Sequence, residues 1–119
     1  MPSTYQLHIH LREAVRITVG RLGAFDFPAG RYVYTGSARR GIEARVRRHL
    51  AKEKKLRWHI DYLLAHPAAR VERVELSERG ECELNWTVAG RIVVARFGAS
   101  DCRSGCGSHL KWLGEREGE

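Results

Sequence analysis

Between Tyr5 and Arg12 the chain alternates without a break: Tyr5, Leu7, Ile9 and Leu11 fall on one side, Gln6, His8, His10 and Arg12 on the other. A period of two sorts side chains only on an extended backbone, so the stretch predicts a half-buried strand and commits the chain to a sheet. Val15, Ile17 and Val19 continue the alternation after a turn near Glu13, and predict a second strand that ends at Gly20 and Gly23 and joins the first as a hairpin. Phe25 and Phe27 lead into the turn signal Pro28-Ala29-Gly30. A third strand, Arg31 to Thr35, follows with Tyr32 and Tyr34 on one face, and Gly36 ends it.

The period then changes. Ile42, Val46 and Leu50 recur at four-residue spacing, which predicts an amphipathic helix behind a Ser37 to Gly41 loop. Arg45 and His49 border its apolar stripe, whereas Arg47 and Arg48 point toward solvent. A second helix is expected from Trp58 to about Ala65, with Ile60, Leu63 and Leu64 inward and Pro67 beyond its end. Val71 to Leu76 reads as a strand, and Glu81 to about Ala89 as a short helix with Cys82, Trp86 and Ala89 inward. Ile92 to Phe97 and Leu110 to Leu113 are read as strands, the latter closing the sheet. The expected fold is α+β: a small, mainly antiparallel sheet with helices packed mostly on one side, in a single domain over 1–113. Residues 114–119 have nothing to bury and are expected to fray.

Charge is distributed unevenly. The 119 residues carry 21 Lys and Arg against 14 Asp and Glu, and the stretch from Arg39 to Arg57 holds nine cations against Glu43 and Glu53, so the surplus of seven sits there. A field concentrated in this way attracts a phosphate backbone. Ser37, Arg39, Arg40, Arg47, Arg48, Lys52, Lys54 and Lys55 are the candidate nucleic-acid contacts, with DNA the expected partner. The plainer reading is a helix face made soluble by its charges. No stretch approaches the roughly 18 apolar residues of a membrane span, and nothing resembles a signal peptide, so no membrane partner and a cytoplasmic location are expected.

Several separated motifs are similar to one known family. Tyr34-Thr35-Gly36, then Ser37-Ala38, Arg45 nine residues after the glycine and His49 one helical turn further resemble the second half of the GIY-YIG nuclease signature; Ser3-Thr4-Tyr5 resembles the first, with only the tyrosine kept. "YVYTGSA", "RRHL", "WHIDYLL", "EC" and "FGASDC" followed by "SHL" resemble one branch of that superfamily, a domain of unknown function found alone or attached to endonuclease III-type repair enzymes. The resemblance runs from Tyr5 to about Leu113. It implies a metal-dependent endonuclease, possible service in DNA repair beside a repair-enzyme partner, and roles for particular residues: Tyr5 and Tyr34 in water activation, Arg45 on the phosphate, His49 as supporting donor or proton relay, and Glu81, with Glu83 as fallback, on Mg2+ or Mn2+. The alternative is a nucleic-acid-binding module of the same fold that does not cut.

The chemistry gives its own reasons for these residue types. A guanidinium offers two donors to the non-bridging oxygens of a phosphodiester transition state. A tyrosine, with an ordinary pKa of about 10, acts as a base near neutrality only where cations favour its phenolate. One carboxylate with substrate phosphate makes a sufficient but weak magnesium site.

"SDCRSGCGSHL" is the other cluster. Cys102, Cys106 and His109 offer three zinc ligands, with Cys82 a distant fourth. Against zinc stands the spacing, which is not a paired C-x-x-C. The preferred reading is a tight Gly-rich turn with Cys102 buried and Ser100-Asp101 capping it; Asp101 and His109 lining a cleft is a further one. Trp58 and Tyr62 are read as core cover in preference to a stacking platform, with Asp61 paired to Arg57. His8 and His10 are read as exposed polar positions.

Overall fold

The computed structural model describes residues 2–51, 53–99 and 105–115. In chain order the elements are β1 (Thr4–Leu11), β2 (Val15–Val19), β3 (Gly23–Phe27), β4 (Gly30–Ser37), α1 (Ile42–Leu50), α2 (His59–Leu64), β5 (Ala69–Ser77), α3 (Glu81–Trp86) and β6 (Leu110–Gly114). Four strands form one antiparallel sheet in the order β5-β1-β4-β6, and β2 and β3 form a separate two-stranded ribbon. The fold is the small α+β type with antiparallel sheets and helices packed against them.

The alternation of β1 explains its central place. Tyr5, Leu7, Ile9 and Leu11 are buried against Ile60, Leu63 and Leu64 of α2, and Tyr32, Tyr34 and Leu110 extend the same apolar face. Burying each such Leu or Ile contributes on the order of 1.5–3 kcal/mol. The opposite face carries Thr4, Gln6 and Thr35, all buried, with Gln6 Nε2 donating to Thr35 Oγ1 at 3.2 Å. The segment around α3 covers this side: Lys111 Nζ reaches the carbonyls of Asn85 and Val88, and Thr4 Oγ1 donates to the carbonyl of Arg79. His8 is half-buried and meets Glu75 at 2.6 Å, so it is not simply an exposed polar position.

Several expectations are corrected. The partner of β2 is β3, not β1, because Phe25 and Phe27 extend a strand, with Val15 paired to Phe27 and Val19 to Gly23. β1 is then free to pair with β4 on one side and β5 on the other. Ile92 to Phe97 is not a strand; it is a series of bends and turns, with Arg96 at φ 65° and an isolated bridge from Arg91 to Trp112 just before it. The apolar run is used instead to sink Val94 and Phe97 into the core. α3 stops at Trp86, which is 59% exposed, and turns Asn85 inward, where its Nδ2 donates to the Ser108 carbonyl. Leu50 is 51% exposed; the buried residue of α1 is His49. β6 runs to Gly114, paired with Arg31, while 116–119 lie outside the described residues. Among the described residues no helix is long and apolar enough to cross a membrane.

Candidate active site and metal-ligating cluster

The site forms where β1 begins and β4 ends. Tyr5 and Gly36 are direct cross-strand partners, and a Cβ at position 36 would lie 2.5 Å from the Tyr5 hydroxyl oxygen. The absent side chain is therefore the space that the phenol occupies. Beyond Ser37 the chain turns back through Gly41, whose φ of 63° and ψ of 40° are left-handed and suit glycine, and α1 starts at once. That reversal lays α1 over the strand end. Arg45 Nη1 donates to the Ser37 carbonyl at 2.8 Å, and His49 Nε2 stands 2.7 Å from the Tyr5 hydroxyl. Lys54 closes the far end of the helix by donating to the carbonyls of Arg48 and His49.

Asp61 anchors this arrangement. Its side chain is fully buried, takes both Nη atoms of Arg48 at 2.9 and 3.0 Å, and accepts the backbone N–H groups of Arg57 and Trp58 at 2.9 Å each. The expected pairing to Arg57 is thus replaced: Arg57 contributes its backbone, and Arg48 its guanidinium. Burial by itself would raise the Asp61 carboxyl, yet the hydrogen bonds from Arg48 and the two amides outweigh it and hold it below its ordinary pKa. Trp58 is half-buried between cations, with the Arg48 guanidinium 4.3 Å and the Arg45 guanidinium 4.7 Å from its ring centre and His49 at 5.8 Å. It covers the site rather than standing out as a platform.

Tyr5, Tyr34, Arg45, His49 and Glu81 share one neighbourhood. The Tyr5 ring lies 6.5 Å from that of Tyr34 and 5.3 Å from that of His49. The Arg45 guanidinium lies close enough to the Tyr5 hydroxyl to favour its phenolate, and Glu81, the first residue of α3, lies near Ser37 and feels the charge of Arg45. Ser37 therefore stands between the cation, which its carbonyl holds, and the anion. Glu83 is directed elsewhere, toward Arg79 at 3.8 Å, with 62% of its side chain exposed.

Electrostatics assign a protonation state to each group. Burial raises the Tyr5 pKa to about 12, Glu81 adds to this and Arg45 opposes it without winning, so the phenol is neutral near pH 7. Tyr34 is likewise raised, chiefly by burial. His49 is lowered to about 4 by burial and then by Lys54, so its ring is neutral, and its Nδ1 is buried without a hydrogen-bond partner among the described residues. Burial would raise Glu81, but its contacts with His109 and Ser37 prevail and lower it, leaving a carboxylate.

A second group of donors stands beside Glu81. Cys82, Cys106 and His109 bring one ligand atom each to within 4.8 Å of one another and can hold a metal ion. Cys82 Sγ is 3.9 Å from His109 Nε2, and His109 Nδ1 is 3.2 Å from Glu81 Oε2. Cys82, expected only as a distant fourth ligand, is a full member because α3 carries it there. Cys102 and the Ser100-Asp101 cap lie outside the described residues.

Of the candidate nucleic-acid contacts, Arg39, Arg40, Arg47 and Lys55 are exposed. Arg48 and Lys54 are engaged in holding α1, Ser37 belongs to the site itself, and Lys52 lies outside the described residues. Sequence reasoning missed Asp61 as an anchor. The signal was its place three residues into the helix that Trp58 precedes, where a carboxylate accepts free backbone N–H groups.

A family model described as "Domain of unknown function DUF123" matches residues 4–119. The chain belongs to the DUF123 family. The matched span takes in every element of the DUF123 fold described above, and both clusters. No curated protein and no solved structure matches this DUF123 chain.

Proposed function

We propose that this DUF123 domain is a metal-dependent endonuclease of the GIY-YIG type, hydrolysing phosphodiester bonds in DNA or structured nucleic acid. One observation carries the reading: a phenol from β1, a guanidinium and a neutral imidazole from α1 and a carboxylate from α3 meet at one end of the sheet, beside the most cationic helix of the chain.

In this reading a water attacks phosphorus as its proton passes to the Tyr5 oxygen and the phenol proton passes to His49 Nε2. The bond from phosphorus to the leaving oxygen breaks with its electron pair, and solvent protonates that oxygen. A protonated phenol is a poor base alone; the unprotonated His49 Nε2, 2.7 Å away, is the acceptor within reach of its proton, and the charge of a bound phosphate would offset the burial and the cations that hold this imidazole neutral. Arg45 offsets the charge that gathers on the non-bridging oxygens, held in aim by the Ser37 carbonyl and the Trp58 ring. Glu81 is ionised and partly exposed, which fits one carboxylate on Mg2+ or Mn2+ with the remaining positions left to water and substrate. When bound, such an ion supplies further neutralisation of phosphate charge. Exposed Arg39, Arg40, Arg47 and Lys55 would track the backbone without reading bases.

The test is cleavage of plain, nicked and branched duplexes with Mg2+ or Mn2+ and with chelator. Metal-dependent strand scission that is lost in Arg45→Ala and in Glu81→Ala is expected. Tight, salt-sensitive binding with no scission on any substrate would replace this reading by the non-catalytic binding module.

A further inference from the structure

Outside the proposed reaction centre, the least explained feature of the molecule is the concentration of soft donors beside α3. Cys82 comes from the first turn of α3, Cys106 from the turn before β6, and His109 from the residue that precedes β6. Cys106 and His109 are buried. Gly105 and Gly107, at φ 75° and 77°, flank Cys106 with left-handed backbone that folds the turn tightly enough to aim its thiol toward α3.

We infer that Cys82, Cys106 and His109 form a zinc site whose histidine is oriented by Glu81. Three arguments support this. The first is chemical: two thiolates and an imidazole suit zinc, whereas magnesium and calcium require oxygen ligands. The second is geometric. Tetrahedral bonds of about 2.3 Å to sulfur and 2.0 Å to nitrogen place these atoms about 3.5 Å apart, and Cys82 Sγ already stands 3.9 Å from His109 Nε2. The third is independent of the ligand atoms. The other ring nitrogen, Nδ1, lies 3.2 Å from Glu81 Oε2, the carboxylate–histidine proximity that fixes a metal-binding tautomer and keeps Nε2 turned toward the Cys82 thiol. Binding releases the two thiol protons to solvent and joins α3 to the turn before β6, segments 24 residues apart in sequence between Cys82 and Cys106.

The inference does not depend on phosphodiester hydrolysis and its test does not measure it. Protein purified under reducing conditions is analysed for metals, and its zinc affinity is measured by competition with a chromophoric chelator. Cobalt substitution serves as a second probe on the unaltered chain, because cobalt bound to thiolates gives a near-ultraviolet charge-transfer band. About one zinc per chain is expected. Cys82→Ser and Cys106→Ser should each weaken zinc more than about 100-fold, and Glu81→Gln about 10- to 100-fold as an orienting residue. Should either serine variant fold poorly, the cobalt band of the wild-type protein and the Glu81→Gln affinity decide. No zinc uptake at micromolar free zinc, no thiolate-to-cobalt band, or wild-type affinity in either serine variant overturns the assignment.

Discussion

Gly36 stands directly opposite Tyr5, and the hydrogen on its Cα occupies the only direction from which a side chain would strike the phenol. An added methyl carbon would fall 2.5 Å from the hydroxyl oxygen and 2.6 Å from the ring carbon that bears it. Tyr5 is buried between Gly36 and Leu76 in neighbouring strands and cannot step aside cheaply. Gly36→Ala should therefore lower stability by about 1–3 kcal/mol through overpacking, read as a shift in the urea midpoint. It should also abolish any strand scission, because the phenol leaves His49.

Tyr5→Phe separates shape from chemistry. The ring remains, while His49 Nε2 loses its partner oxygen. Stability should fall by about 1–2 kcal/mol. Scission should fall at least about 100-fold, as for loss of a positioned proton acceptor, with binding to DNA retained in a gel-shift assay.

The buried imidazole sets a pH dependence. In the folded chain His49 has its pKa lowered to about 4, below its ordinary value of 6.5, so the unfolded chain binds more protons between these values. Stability is fully present above about pH 6.5 and declines as pH falls toward 4, by up to about 3 kcal/mol. Urea midpoints measured from pH 7 to 4 should show this slope in the wild type and a shallower one in His49→Gln, where His8 and His59, both lowered by burial, still contribute. The depressed Asp61 acts in the same sense in a lower window, where stability is lost as pH falls through its folded pKa.

Arg48 and Asp61 make the sharpest structural prediction. Arg48→Ala leaves a fully buried carboxylate with only two backbone amides, which should cost about 3–5 kcal/mol. Asp61→Asn in that background should recover part of the loss, because the unpaired charge is gone. Thermal melts of the two single variants and the double variant measure the coupling.

Salt should separate the two kinds of cation. Replacing Arg39, Arg40, Arg47 or Lys55 by alanine should weaken DNA binding without changing stability, and each should reduce the slope of log affinity against log salt by about 1. Arg48 and Lys54 should instead behave mainly as stability residues, since both serve α1.

The sheet's central strand, α1, α2 and the last strand were legible because their periodicity is strong. β3 was not, since Gly23-Ala24-Phe25-Asp26-Phe27 offers two aromatic positions and then runs into a proline turn. Ile92 to Phe97 misled because an apolar run reads the same whether it forms a strand or a coil that buries Val94 and Phe97. Leu50 and Trp86 misled for a related reason: periodicity names the helix face, whereas the neighbours available decide how far along the helix it is covered. In the site, spacing brought Arg45 and His49 to one helix face. The approach of Cys82 to His109 depends on how α3 crosses the strands, and no local pattern encodes that.

Among the described residues the order β5-β1-β4-β6 makes the nine-residue β5 an edge strand. Arg70 with Glu72 and Arg73 with Glu75 stud that margin with alternating charge, and the pairing of β5 to β1 shifts register between His8 and Ile9. Such a border resists adding a strand from another copy of the chain, since docking would strip water from four ionised groups. Concentrated salt, by screening them, is the condition under which the border becomes adhesive.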